Sequence, residues 1–129
     1  MPDPATPLSY VLWIRIETTL ALNIGALGPC YLPAGTYSYT GSARRHPEAR
    51  LLRHLGHRQR RRRWHIDYVL TQPDCTVVDV RLWHEPECRL NQRLPGAILI
   101  PGFGASDCRA GCGSHLRYLG PGLYPGDGD

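Results

Sequence analysis

Residues 35–54, GTYSYTGSARRHPEARLLRH, run a tyrosine-rich strand into a Gly-Ser turn and then into a short basic helix. Tyr37 and Tyr39 stand two apart, so on a strand they share one face, and Gly41 permits a close backbone approach or a sharp turn behind them. Pro47 and Glu48 suit a first helical turn, and Gly56 suits its end. On that helix Arg50, His54 and His57 fall at i, i+4 and i+7, while Leu51, Leu52 and Leu55 occupy the other side. One face is buried and the other presents cations, an order of elements that builds a phosphate site.

Working outward, residues 8–17 alternate, with Tyr10, Leu12, Ile14 and Ile16 on one face and Ser9, Trp13, Arg15 and Glu17 mostly on the other, as a half-buried strand requires. Residues 20–24 read as a second short strand. Residues 25–35, rich in glycine and proline, read as a loop that enlarges the connection between the two tyrosine strands. Residues 64–71 read as a helix. Residues 75–83 form a third main strand, alternating Val78, Val80 and Leu82 against Asp79 and Arg81. A short helix follows over 86–93, and 97–118 is glycine-rich with strand-like pieces. The order predicts an α+β fold with a small, mainly antiparallel three-stranded sheet flanked by helices. Residues 1–7 read as a flexible leader, 8–119 as one domain and 120–129 as a disordered tail.

A length of 129 residues with 42% hydrophobic residues suits one domain with a modest core, and 14 glycines with 12 prolines imply many turns. All 15 basic residues are arginine, whose planar fork can donate two parallel hydrogen bonds to phosphate. The net charge of +4 is moderate, but Arg58 and Arg60–Arg63 put five positive charges within six residues. Directly behind a basic helix, that run reads as a nucleic-acid contact rather than a merely solvated loop, supplying affinity more than sequence choice. The N-terminus lacks the basic region and apolar run of a signal peptide, and no apolar stretch approaches the roughly 18 residues of a membrane span. A cytoplasmic protein without membrane partners is expected. Five cysteines, an odd number, point to free thiols or a metal rather than a disulfide framework.

Tyr39-Thr40-Gly41-Ser42-Ala43, followed by Arg50-Leu51-Leu52-Arg53-His54-Leu55, resembles the second half of the GIY-YIG nuclease signature. The first half is matched best by Leu8-Ser9-Tyr10, which keeps the tyrosine but neither the Gly nor the Ile. The literal triplet Gly35-Thr36-Tyr37 shares a strand with Tyr39 and so cannot form the opposing strand of a hairpin. Trp64-His65-Ile66-Asp67-Tyr68, residues 101–108 (PGFGASDC) and Ser114-His115-Leu116 resemble the Uri-type branch of that superfamily, small domains found alone or fused to DNA-repair glycosylases.

The resemblance implies a GIY-YIG-like core and a metal-dependent endonuclease acting on DNA in repair or recombination, with RNA left open and a repair protein as a further partner. It assigns Tyr10 as general base or water-positioning group, Tyr39 as its partner and Arg50 as phosphate clamp, with Arg53 as the fallback because Arg50 lies one residue further from Gly41 than is usual. His54 is a second phosphate donor or an acid for the leaving oxygen. Glu87 is the carboxylate for Mg²⁺ or Mn²⁺, with Glu85 two residues away as the alternative. Hydrolysis of a phosphodiester needs a deprotonated water, a positive group against the phosphate and a stabilised leaving oxygen, which these side chains can supply. A tyrosine with an ordinary pKa of about 10 is a poor base unless a cation lowers it, so Tyr10 requires Arg50 or the metal nearby. Ser42, Arg53, Arg58, Arg60, Arg61, Arg62, Arg63 and His65 are expected to contact nucleic acid. Asp67 either lines the site with His65 or orients it within a structural cluster.

The Cys108-x3-Cys112-x2-His115 spacing invites Zn²⁺, with Cys88, Cys30 or His65 as fourth ligand. Ser106-Asp107 and Ser114-His115 can instead form a polar network that closes the site. Two other functions compete with the nuclease: a non-catalytic nucleic-acid-binding module that retains the fold, and a zinc-bound adaptor.

Overall fold

A computed structural model describes residues 8–42, 65–104 and 112–122. The alternating segment forms strand β1, Ser9–Ile16, and its Tyr10, Leu12, Ile14 and Ile16 enter the main apolar core. Strand β4, Gly35–Ser42, pairs with it antiparallel, setting Tyr10 opposite Gly41, Leu12 opposite Tyr39 and Ile14 opposite Tyr37. Directly opposed residues share a face, so both β4 tyrosines join the same core. Gly35-Thr36-Tyr37 and Tyr39 do lie on one strand, and β1 is the strand that opposes it.

Strand β5, Cys75–Trp83, lies on the other edge of β1. The register slips between Trp13 and Ile14, which face Asp79 and Val77, leaving Val78 as the bulged residue. Past the bulge the alternation inverts, so Val77 rather than Val78 joins Val80 against the core.

The main sheet has four strands, in the order β5-β1-β4-β6, where three were expected. The addition is β6, Leu116–Gly120, which covers the edge of β4. Its five residues carry little local pattern, and pairing with β4 decides its conformation. Gly120, read as the start of the tail, ends this strand. Beyond it Thr36 Oγ1 donates to the Gly122 carbonyl at 2.7 Å, and Arg15 donates to the Pro121 and Gly122 carbonyls at 3.1 and 2.6 Å.

Residues 25–35 are more ordered than a loop. Strand β2, Leu20–Asn23, and strand β3, Pro29–Leu32, form a separate two-stranded sheet joined through a 3-10 turn at Gly25–Leu27. Gly28 takes the left-handed φ of 71° that turns the chain back, and Pro29 stands at the first strand position, where a missing N–H is tolerated.

Helix α1, His65–Leu70, packs Ile66 and Val69 into the core. Helix α2, Glu87–Arg93, follows Pro86 and lies against β4 and β1. Val11, Ser38 and Thr40, alternating away from the main core, are buried together with Leu90 of α2. The result is an α+β sandwich of helix α2, the mostly antiparallel sheet, and a second layer of α1 with the β2-β3 hairpin. No helix among the described residues is long and apolar enough to cross a membrane.

Candidate active site

The C-terminal end of β4 gathers several of the expected site residues. Tyr10 reaches it across the β1-β4 ladder, with its ring lying directly on the backbone of Gly41. A Cβ on Gly41 would stand 2.3 Å from both Cζ and Oη of that ring, so only glycine leaves room for it. Tyr39 lies beside Tyr10, with ring centroids 6.4 Å apart and planes tilted by 50°. Both tyrosines are buried, at 2% and 6% exposure. Tyr37 packs in the core: its ring lies 4.9 Å from that of Tyr118 and its hydroxyl donates to the Pro33 carbonyl at 2.6 Å. Burial raises its pKa further from the neutral range.

Glu87 approaches the same end of β4 from the first turn of α2. Its Oε2 lies 3.4 Å from Nδ1 of His115, and that nitrogen is 3.2 Å from the Thr40 carbonyl. Carbonyl and carboxylate oxygens only accept, so Nδ1 carries the proton, and in the neutral ring Nε2 then presents its lone pair. Glu85 is engaged elsewhere: Arg93 forms a two-pronged ion pair with it, and this pair, chiefly through its hydrogen bonds, holds the Glu85 carboxyl below its usual value. Arg93 also lies over the Trp83 ring, at 5.3 Å.

Helix α1 and residues 102–104 meet at Gly104. Its N–H donates to His65 Nδ1 at 2.8 Å, and a Cβ there would lie 3.0 Å from the Tyr39 ring and 3.3 Å from Cβ of His115. Phe103 fills the space between, 6.1 Å from Tyr39 and 5.6 Å from His65 in centroid distance. Desolvation lowers the His65 pKa, and the neutral ring is the form that accepts from Gly104. Asp67 is fully buried in the same helix.

Ser114 is tied both to β6 and to α2. Its hydroxyl exchanges hydrogen bonds with the Leu116 backbone, both at 3.1 Å, and its carbonyl accepts from Asn91 Nδ2 at 2.8 Å. Ser42 ends β4 opposite Ser9. Arg50, Arg53, His54, Arg58, Arg60–Arg63, Ser106, Asp107 and Cys108 lie outside the described residues, as does the helix expected over 47–57.

A family model described as "Domain of unknown function DUF123" matches residues 9–122, from the first residue of β1 to just past β6. The chain belongs to the DUF123 family. No curated protein and no solved structure matches it. In this DUF123 chain, sequence reasoning named Tyr10, Tyr39, His65, Glu87 and His115 but gave no role to Phe103, Gly104 or Thr40. The glycine itself was the available signal for Gly104, which takes a left-handed φ of 66°, yet the sequence gives no hint of which rings close on it. The Thr40 contribution is a backbone carbonyl, which side-chain chemistry cannot announce.

Proposed function

We propose that the chain is a metal-dependent endonuclease of the GIY-YIG type that hydrolyses phosphodiester bonds, with DNA as substrate. The observation that carries this reading is the seating of Tyr10 on Gly41, with Tyr39 beside it: two tyrosines from opposed strands meet over a glycine, as the two halves of the signature require. Glu87, with its side chain 33% exposed, suits a cation that keeps most of its water shell, whereas Glu85 is neutralised by Arg93.

In the reaction a water oxygen forms a bond to phosphorus and the bond to the leaving sugar oxygen breaks. Tyr10 Oη would hold that water and, as phenolate beside a cation, accept its proton. Tyr39 would support the Tyr10 ring, and Arg50 would clamp the phosphate, with His54 protonating the leaving oxygen. Glu87 would hold Mg²⁺ or Mn²⁺, which supplies Lewis-acid stabilisation of the phosphate charge. Ser42, His65 and the arginines 58 and 60–63 would bind the backbone of the nucleic acid.

The deep burial of Tyr10 favours one other reading, a nucleic-acid-binding module without catalysis. Wild type, Tyr10→Phe and Glu87→Gln, incubated with labelled single-stranded, duplex and branched DNA in Mg²⁺, Mn²⁺ or EDTA, separate the two. The nuclease requires metal-dependent cutting that drops by roughly a hundredfold in each variant. Binding without cutting on every substrate would replace it with the binding module.

A further inference from the structure

Cys88, Cys112 and His115 come together between α2 and the segment leading into β6, with their ligand atoms all within 4.8 Å of one another. Cys88 Sγ lies 3.9 Å from Nε2 of His115. Metal–sulfur bonds of about 2.3 Å and metal–nitrogen bonds of about 2.0 Å put the ligand atoms of a tetrahedral zinc roughly 3.5–3.8 Å apart, so the cluster needs only a small contraction. The imidazole is already in the required tautomer, because its Nδ1–H faces the Thr40 carbonyl and the Glu87 carboxylate. A carboxylate behind the histidine is the usual support of a metal-bound imidazole. Gln92 Nε2 donates to Cys112 Sγ at 3.5 Å, and Cys112 Sγ lies 3.8 Å from the Cys88 carbonyl of α2. Of the three fourth-ligand candidates, Cys88 is the one the fold delivers; His65 is turned to Gly104, and Cys30 Sγ faces the Gly28 carbonyl.

We propose that Cys88, Cys112 and His115 bind one Zn²⁺ ion that clasps α2 to the segment before β6. Two thiolates and an imidazole form a soft donor set that selects zinc over magnesium. On binding, the Cys88 and Cys112 thiols each lose a proton to solvent, two per ion, and His115 stays neutral. Three protein ligands leave one position of the tetrahedron for a further donor. The ion ties α2 to His115 and, through it, to β4, and so fixes the helix turn that carries Glu87. The clasp does not depend on the nuclease reading, and its test reads no cleavage.

Elemental analysis of the full chain, purified under reductant and freed of loose metal, should find about one zinc per chain. Replacement by Co²⁺ should give a thiolate-to-cobalt charge-transfer band. Cys88→Ser and Cys112→Ser should each lose the band and most of the metal, while Cys30→Ser and Cys75→Ser keep both. Should a cluster variant fail to fold, the wild-type cobalt spectrum and the number of thiols exposed by chelation decide alone. No thiolate band with Co²⁺, a Cys88–Cys112 disulfide in the reduced preparation, or full zinc content in both cluster variants would overturn the proposal.

Discussion

Replacing Gly41 by alanine isolates the contact on which the site is built. The residue has no left-handed φ, so alanine suits its backbone, and the whole penalty must come from what the new methyl meets. It meets the Tyr10 ring at 2.3 Å, more than 1 Å inside ordinary contact, and Tyr10 is 2% exposed with nowhere open to move. Overpacking of a filled core costs about 1–3 kcal/mol. For a chain of this size that corresponds to a fall in Tm of roughly 3–15 °C. Calorimetry of wild type, Gly41→Ala, Tyr10→Val and the double variant closes a cycle. Valine lacks the atoms that clash, so Gly41→Ala should cost under ~0.5 kcal/mol in the Tyr10→Val background, a coupling of about 1–2.5 kcal/mol. A neutral Gly41→Ala would refute the close approach, and an equal cost in both backgrounds would place the strain in the backbone. If Tyr10 also positions the attacking water, a shift of about 1 Å in its hydroxyl should lower cleavage by roughly a hundredfold beyond any loss from unfolding.

Tyr37→Phe leaves the Pro33 carbonyl without its donor at a position where the ring is 1% exposed, and should lower stability by about 1–2 kcal/mol in chemical denaturation without a change in nucleic-acid affinity. His65 has a folded pKa below its ordinary value of 6.5, so the unfolded chain takes up its proton first as pH falls. Its contribution to stability is therefore complete above about 6.5 and is lost as pH falls through the lower folded pKa; denaturation midpoints from pH 7.5 to 5 should show this slope, and His65→Gln should flatten it. Glu85→Gln should leave metal-dependent cleavage unchanged while Glu87→Gln abolishes most of it, because Arg93 already neutralises the first carboxylate; equal losses in both would move the cation to a shared site.

What could be seen in the sequence was whatever short-range periodicity encodes. Tyr10, Leu12, Ile14 and Ile16 alternate strictly, and the fold uses them as one face of β1; Tyr37 and Tyr39 could be assigned to one strand for the same reason. β6 was hidden because LRYLG becomes a strand only by lying along β4, a pairing about 80 residues distant in sequence, and β3 because its flanking prolines mimic a loop. The bulge at Val78 shows the same limit within an element that was recognised: its two ends keep alternation, but nothing local marks where the phase changes.

The metal cluster carries that reasoning one step further, from structure to chemistry. Spacing along the chain grouped Cys108, Cys112 and His115, since near neighbours are the only ligands a motif can display. Among the described residues the fold brings Cys88, one of the fourth-ligand candidates, from α2 to Cys112 and His115, and it does so with the same helix turn that holds Glu87. Adjacent residues 87 and 88 thus face one histidine from two sides, the carboxylate toward Nδ1 and the sulfur toward Nε2. Thiolate sulfur favours zinc, whereas a single carboxylate oxygen suits a hard cation such as Mg²⁺. If the proposed nuclease and the proposed zinc clasp both hold, the pair would divide labour, Cys88 anchoring the turn through zinc and Glu87 keeping an oxygen for a cation at the phosphate, and stripping zinc should then lower cleavage even in saturating Mg²⁺.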